Sequence, residues 1–132
     1  KMLERGNVYR FSYLWSWQYA QGEESGRKAR PVCLILKTNK KSGNLFLFPL
    51  TTTQPPQNRL AVEIPAAERK SAGLDSKSWI ILDEYNQASD VYMYDFESTE
   101  PLGKFGDRFL RKIADTVKQA ILAGRMKAVS RT

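Results

Sequence analysis

Apolar and polar positions alternate over much of the first two-thirds of the chain. Asn7 to Tyr13 runs with period two, setting Val8, Arg10 and Ser12 against Tyr9, Phe11 and Tyr13. That spacing predicts a strand but does not say which face is buried. Arg30 to Lys37 is β-branched and apolar and predicts a central strand. Leu45 to Leu50 predicts a third strand, with Pro49 marking an edge or a bulge because proline cannot donate to a ladder. Leu60 to Ile64 alternates again, and Trp79 to Leu82 reads as a further buried strand. Polar turns fall at 39–44 and 54–57, and Ala66 to Ala72 predicts a short helix ended by Gly73. The acidic, aromatic stretch from Asp90 to Thr99 fits no pattern.

The period changes near the end. Phe109, Leu110, Ile113, Val117, Ala120 and Ile121 recur at helical spacing and predict a helix over 108–123. Asp107 is the expected N-cap and Gly124 the expected stop. The basic tail 125–132 is expected to fray. Five strands with short turns and one closing helix predict a mainly β domain over 1–124: a small, strongly bent sheet or barrel capped by a helix.

Composition narrows the chemistry. A chain of 132 residues makes one domain with one core. The longest apolar run is Val32 to Leu36, far short of the roughly 20 residues of a spanning helix. No basic opening followed by an apolar segment is present, so no secretory signal is expected. One cysteine, Cys33, excludes an intrachain disulfide and suits a reducing, cytoplasmic setting. It lies in an apolar strand and reads as an inert core thiol.

The chain has no histidine. That removes serine–histidine and cysteine–histidine catalysis, histidine-pair RNA hydrolysis and histidine zinc sites. No metal or other cofactor is expected. Catalysis, if present, rests on Arg, Lys, Asp, Glu, Ser, Thr or Tyr.

Charge is unevenly spread. Residues 1–60 carry ten Lys or Arg against three acids, whereas residues 61–132 carry eleven of each sign. Arg27 to Lys41 holds six cations and no acid. Such a face attracts polyanions, nucleic acid first, and equally suits a solvated surface.

Several residues within or beside this basic region have chemical potential. Pro31 restricts Arg30 to extended geometry at a strand start, and its guanidinium presents a planar fork of donors suited to phosphate. Thr51, Thr52 and Thr53 close the third strand, where hydroxyls bind phosphate oxygens if Arg30 is a neighbour. Glu23 and Glu24 stand in the loop before the cations, where a carboxylate near an arginine can serve as a general base. Tyr13, Trp15, Trp17 and Tyr19 are aromatics at alternate positions. Aromatics beside cations stack unpaired bases, form interfaces or fill cores; core or interface is the stronger reading for Trp15, and Trp17 stays open.

These pieces occur in an order that resembles the MazF/PemK toxins of bacterial toxin–antitoxin pairs. Arg5-Gly6-Asn7-Val8-Tyr9 is similar to that family's opening R-G-D-V-Y strand. Gly22-Glu23-Glu24-Ser25-Gly26, followed by Arg30-Pro31-Val32, is similar to its G-S-E-Q-x-G-x-R-P-V segment. Phe48-Pro49-Leu50-Thr51-Thr52 resembles its strand ending in proline, an apolar residue and threonine. Val62-Glu63-Ile64 and Gly73-Leu74-Asp75-Ser76 are similar to later blocks, and Leu82-Asp83-Glu84 to the start of L-D-Q-I-R.

The resemblance implies an SH3-like barrel with a C-terminal helix, a homodimer and a cognate antitoxin. It also implies a metal-independent, sequence-specific endoribonuclease acting on single-stranded RNA. The catalytic arginine and threonine correspond to Arg30 and Thr51, and the loop glutamate to Glu24. Arg27, Lys28, Lys40, Lys41, Thr52 and Trp17 are the residues expected to hold RNA. Two departures from the pattern matter: Glu23 replaces a serine, and Tyr85-Asn86 replaces Ile-Arg. The rival expectation is a CcdB-like inhibitor that binds gyrase or another protein and cuts nothing. A third is a domain that binds without catalysis.

Overall fold

The computed structural model describes residues 3–38, 43–89 and 95–131. In chain order the elements are β1 (Asn7–Phe11), α1 (Ser16–Ala20), β2 (Arg30–Lys37), β3 (Asn44–Thr51), β4 (Ala61–Glu63) and α2 (Ala66–Ser71). They continue with β5 (Trp79–Ile81), β6 (Glu84–Ser89), β7 (Gly103–Lys104), α3 (Asp107–Leu122) and β8 (Lys127–Ser130). The fold is mainly β, and the five expected strands and both expected helices are present.

The strands pair in the order β4-β5-β3-β2-β1-β7, with β6 joined to β3 and β8 to β6. Every pairing is antiparallel except β6 with β8. Among the described residues the ladder does not close on itself. β3 is the shared member. One edge pairs with β2. The other pairs with β6 through Asn44–Leu47 and with β5 through Leu50 and Thr51. Pro49 lies in the gap between those partners, where its missing N–H is least costly.

Both faces of this sheet are buried. Val8, Cys33, Ile35, Phe48 and Leu50 join Phe109, Leu110 and Ile113 of α3 in one cluster. Tyr9, Phe11, Val32, Leu34, Leu45 and Leu47 form the other with Tyr13, Ala88 and Phe96. That is why β2 reads as an unbroken apolar run: alternate side chains enter different cores. It also resolves β1, whose two faces are both used. Burial pushes the Cys33 thiol pKa up, as suits an inert core group.

The structure corrects four local expectations. The aromatic alternation from Tyr13 to Tyr19 breaks at Trp15, where α1 begins; the Trp15 N–H donates to Gln18 Oε1 at 3.0 Å. Gly106, not Asp107, caps α3, and its N–H donates to Glu68 Oε1 at 2.8 Å. Ile121 is exposed rather than on the core stripe. Finally, the tail expected to fray forms β8. Gly124 takes φ of 67° and reverses the chain after α3, which lets Lys127–Ser130 pair beside β6. Val129 and Arg131 are buried there.

β6 itself has no apolar pattern to announce it. Its polar groups are buried and satisfied instead. Asn86 is fully buried: its Oδ1 accepts from Leu14 N–H and Arg131 Nη1, both at 2.9 Å, and its Nδ2 donates to the Leu14 carbonyl at 2.7 Å. Arg131 also donates to Ser12 O at 2.7 Å, pairs with Asp95 and packs over the Phe11 ring.

Each buried polar group left without a partner costs about 1–3 kcal/mol. Asn86→Ala strands the Leu14 amide and carbonyl and one Arg131 donor. It is expected to destabilise the protein by about 3 kcal/mol or more, read from the denaturant midpoint. A shift below about 1 kcal/mol would show that the network is dispensable.

Candidate functional site

Antiparallel pairing brings the two leading site residues to one end of the sheet. Val32 of β2 faces Pro49 of β3. Arg30 and Thr51 each lie two residues beyond that pair, in opposite chain directions. Both line a cavity of about 560 Å³, together with Lys28, Thr52 and Asp75. Arg10 lines it too, but is committed to Glu97 at 3.0 Å and to the Ala29 carbonyl at 3.2 Å.

The loop before β2 is drawn against β1 by Gly26. A Cβ there would meet the Ser12 carbonyl oxygen at 2.4 Å, so only glycine allows the approach. The loop delivers Arg27, Lys28 and Arg30 to a second cavity of about 290 Å³, walled by Trp15 and Trp17. The Arg30 guanidinium sits 5.0 Å from the Trp15 ring centre, and Arg27 lies 5.0 Å from that of Trp17. Arg27 is also held by Glu23 at 2.8 Å. Trp15 packs against the second core cluster, and Trp17 is 48% exposed.

Arg30 stands out electrostatically. Its Nε is buried and meets no acceptor among the described residues. Desolvation lowers its pKa, with Tyr13 opposing. A half-buried guanidinium without a carboxylate is costly, and an anion arriving from solution would relieve that cost. The Thr51 Oγ1 accepts the Thr53 N–H at 3.1 Å, leaving its own proton free for a second bond.

The structure thus brings together Arg30, Thr51, Thr52, Arg27, Lys28 and Trp17 around two adjoining cavities. Glu24 is exposed and lines neither. Lys40 and Lys41 lie outside the described residues. Asp75, which sequence reasoning had only as part of a matching block, is the one carboxylate lining the larger cavity among the described residues. No group of three or more His, Cys, Asp or Glu is placed to hold a metal among those residues.

A further ionic cluster escaped notice in the sequence. Arg59 grips Asp83 through Nε and Nη2, and reaches Glu84 at 2.9 Å. Glu84 is almost wholly buried, yet it also accepts from Tyr13 Oη at 2.9 Å and from the Ser16 N–H at 3.0 Å. Burial, and then Glu84, raise the Tyr13 pKa well above its ordinary value. This cluster ties the start of α1 to β6, which holds Trp15 and Trp17 in place.

No family model matches the chain, and no curated protein matches it at a significant level. Among the described residues no helix is long and apolar enough to cross a membrane.

Burial would raise the Asp83 pKa, but the Arg59 bonds and the Leu60 N–H outweigh it, so the value is lowered. A depressed carboxylate stabilises the fold above its unfolded pKa of about 4 and loses that contribution as pH falls through the lower folded value. Asp83→Asn is therefore expected to be less stable than the parent at neutral pH. The gap should narrow on acidification below about pH 4, as thermal melts at several pH values would show. An equal gap at both ends would mean that the carboxylate charge contributes nothing.

Proposed function

We propose that this protein is a MazF/PemK-like toxin, a metal-independent endoribonuclease that cuts single-stranded RNA at particular sequences. The single observation that carries this reading is Arg30. It is half-buried, stacked on Trp15 and without an acceptor for its Nε among the described residues, and it shares a cavity with Thr51. The mainly β fold, with a helix covering one face, fits the SH3-like barrel of such toxins. β8 then follows the helix as an addition. A homodimer, a cognate antitoxin and a cytoplasmic setting belong to the same proposal.

In this reading the 2′-oxygen of a ribose bonds to the adjacent phosphorus and the P–O5′ bond breaks. The products are a cyclic phosphate and a free 5′-hydroxyl. Arg30 stabilises the extra negative charge of the phosphorane, and the Thr51 hydroxyl donates to a non-bridging oxygen. An arginine is too weak an acid to serve as the base. A carboxylate takes the 2′ proton, and solvent protonates the leaving oxygen. Asp75 fits that role better than Glu24, because it lines the Arg30–Thr51 cavity and Glu24 does not. Trp17, Arg27, Lys28 and Thr52 hold the strand on either side. The competing reading is a CcdB-like protein that uses the same surface to bind gyrase or another partner without chemistry.

Purified protein is expected to cleave single-stranded RNA in EDTA and leave cyclic phosphate ends. Arg30→Ala should lose about 10²-fold or more in rate with little change in thermal stability. Arg30→Lys should recover only part, because it keeps the charge and loses the fork. Thr51→Val should lose less than Arg30→Ala. Full cleavage by a folded Arg30→Ala protein would defeat the site. Growth arrest by a parent that cuts no RNA would favour the gyrase-type reading.

The base is tested separately. Asp75→Asn is expected to lower the rate by about 10²–10⁴ and to remove the acid limb of the pH–rate profile. Glu24→Gln should change neither. The reverse pattern would return the role to Glu24.

A further inference from the structure

The two cavities around Arg30 do not end the groove. Thr51, Trp15 and Trp17 also line a third hollow of about 220 Å³, whose far wall is Arg59. Arg59 and Trp17 in turn line a fourth of about 390 Å³, where Arg125 and Lys127 stand. Each hollow shares at least one wall residue with the next. The four hollows are therefore neighbours along one side of the protein, from Arg30 and Thr51, past the exposed indole of Trp17, to the start of β8.

The far end carries charge that the protein does not use. Asp83 and Glu84 line that hollow, but their oxygens are taken: Asp83 by Arg59 and the Leu60 N–H, Glu84 by Arg59, Tyr13 and Ser16. Arg125 donates only to the Asn58 carbonyl, at 2.8 Å, and Lys127 has no side-chain partner among the described residues. Both cations are exposed. Their position comes from β8: Gly124 turns the chain back, and pairing in register sets Lys127 opposite Glu84. The turn at Gly124 and the pairing of β8 together set Arg125 and Lys127 at the rim of the same hollow.

We infer that Arg125 and Lys127 form a second anion subsite, which takes a backbone phosphate of the same single-stranded polynucleotide whose reacting phosphate lies at Arg30. This rests on the RNA reading above. Trp17 bridges the two ends as a surface on which an intervening base stacks, an interaction that tolerates any sequence. The subsite adds length-dependent affinity without sequence preference, because phosphate contacts position a strand and do not read it.

The test uses fluorescent oligouridylates near the two ends of the range of about four to sixteen nucleotides that such grooves cover. The parent is expected to bind the longer one at least tenfold more tightly. In an Arg125→Glu/Lys127→Glu variant that advantage should collapse. The slope of log K against log salt for the longer probe should become shallower by about 1.4, from two lost contacts at about 0.7 each. An Arg125→Gln/Lys127→Gln variant should show the same direction, and melting curves on both confirm the fold. A variant with the parent's length advantage and salt slope overturns the subsite. So does a parent that binds both probes equally well, and that result leaves the Arg30 site standing. A parent that binds neither probe overturns this subsite and the RNA reading together.

Discussion

The architecture depends on one strand serving three partners. β3 pairs with β2 along one edge and divides the other between β6 and β5, with Pro49 at the division. A proline inside a fully paired central strand would leave a hole in the ladder. Here Pro49 faces Val32 of β2 on one edge and lies between the segments paired with β6 and β5 on the other. The same division gives the end of β3 to β5, where Thr51 pairs with Trp79 and shares a cavity with Arg30 at the start of β2.

Beneath the candidate site the protein is held by polar contacts rather than by apolar packing alone. Glu84 gathers Arg59, Tyr13 and Ser16, and Asn86 gathers Leu14 and Arg131. Buried networks of this kind are stable only when every member is satisfied. Here the acceptors on β6 are filled by Tyr13 and Leu14 ahead of α1, Ser16 of α1, Arg59 ahead of β4 and Arg131 after β8, while Arg131 Nε meets no acceptor among the described residues. The position where the resemblance would place an arginine holds Asn86, which is wholly internal. Arg131, which reaches the same spot from the end of the chain, has a fully buried side chain and is committed to Asn86, Ser12 and Asp95. It therefore stabilises the fold and does not substitute for a groove-facing cation.

Much of the fold was legible because burial on both faces leaves a clear apolar record. β2 and β3 read as strands from composition, and α3 from its periodicity. β6 was missed because Glu84, Asn86 and Gln87 carry no apolar pattern, and the burial of Glu84 and Asn86 rests on partners far away in the chain. β8 was missed because Lys127 to Ser130 is short, and only parallel pairing with β6 orders it. Arg30 and Thr51 were named from their strand-end positions. Asp75 was not singled out, because a loop aspartate acquires meaning only when the loop is brought against a cavity.

The sequence by itself determined the mainly β class, the long amphipathic helix after residue 106, the absence of histidine chemistry and the concentration of positive charge before residue 60. These follow from periodicity and composition, which are local properties. Tertiary structure decided which charges remain available. Arg10, Arg59 and Arg131 look equivalent to Arg30 in the sequence, yet each is paired with a carboxylate, whereas Arg30 is half-buried against Trp15 without one among the described residues. Pairing depends on residues 24 to 87 positions away, and no local pattern encodes a contact at that range.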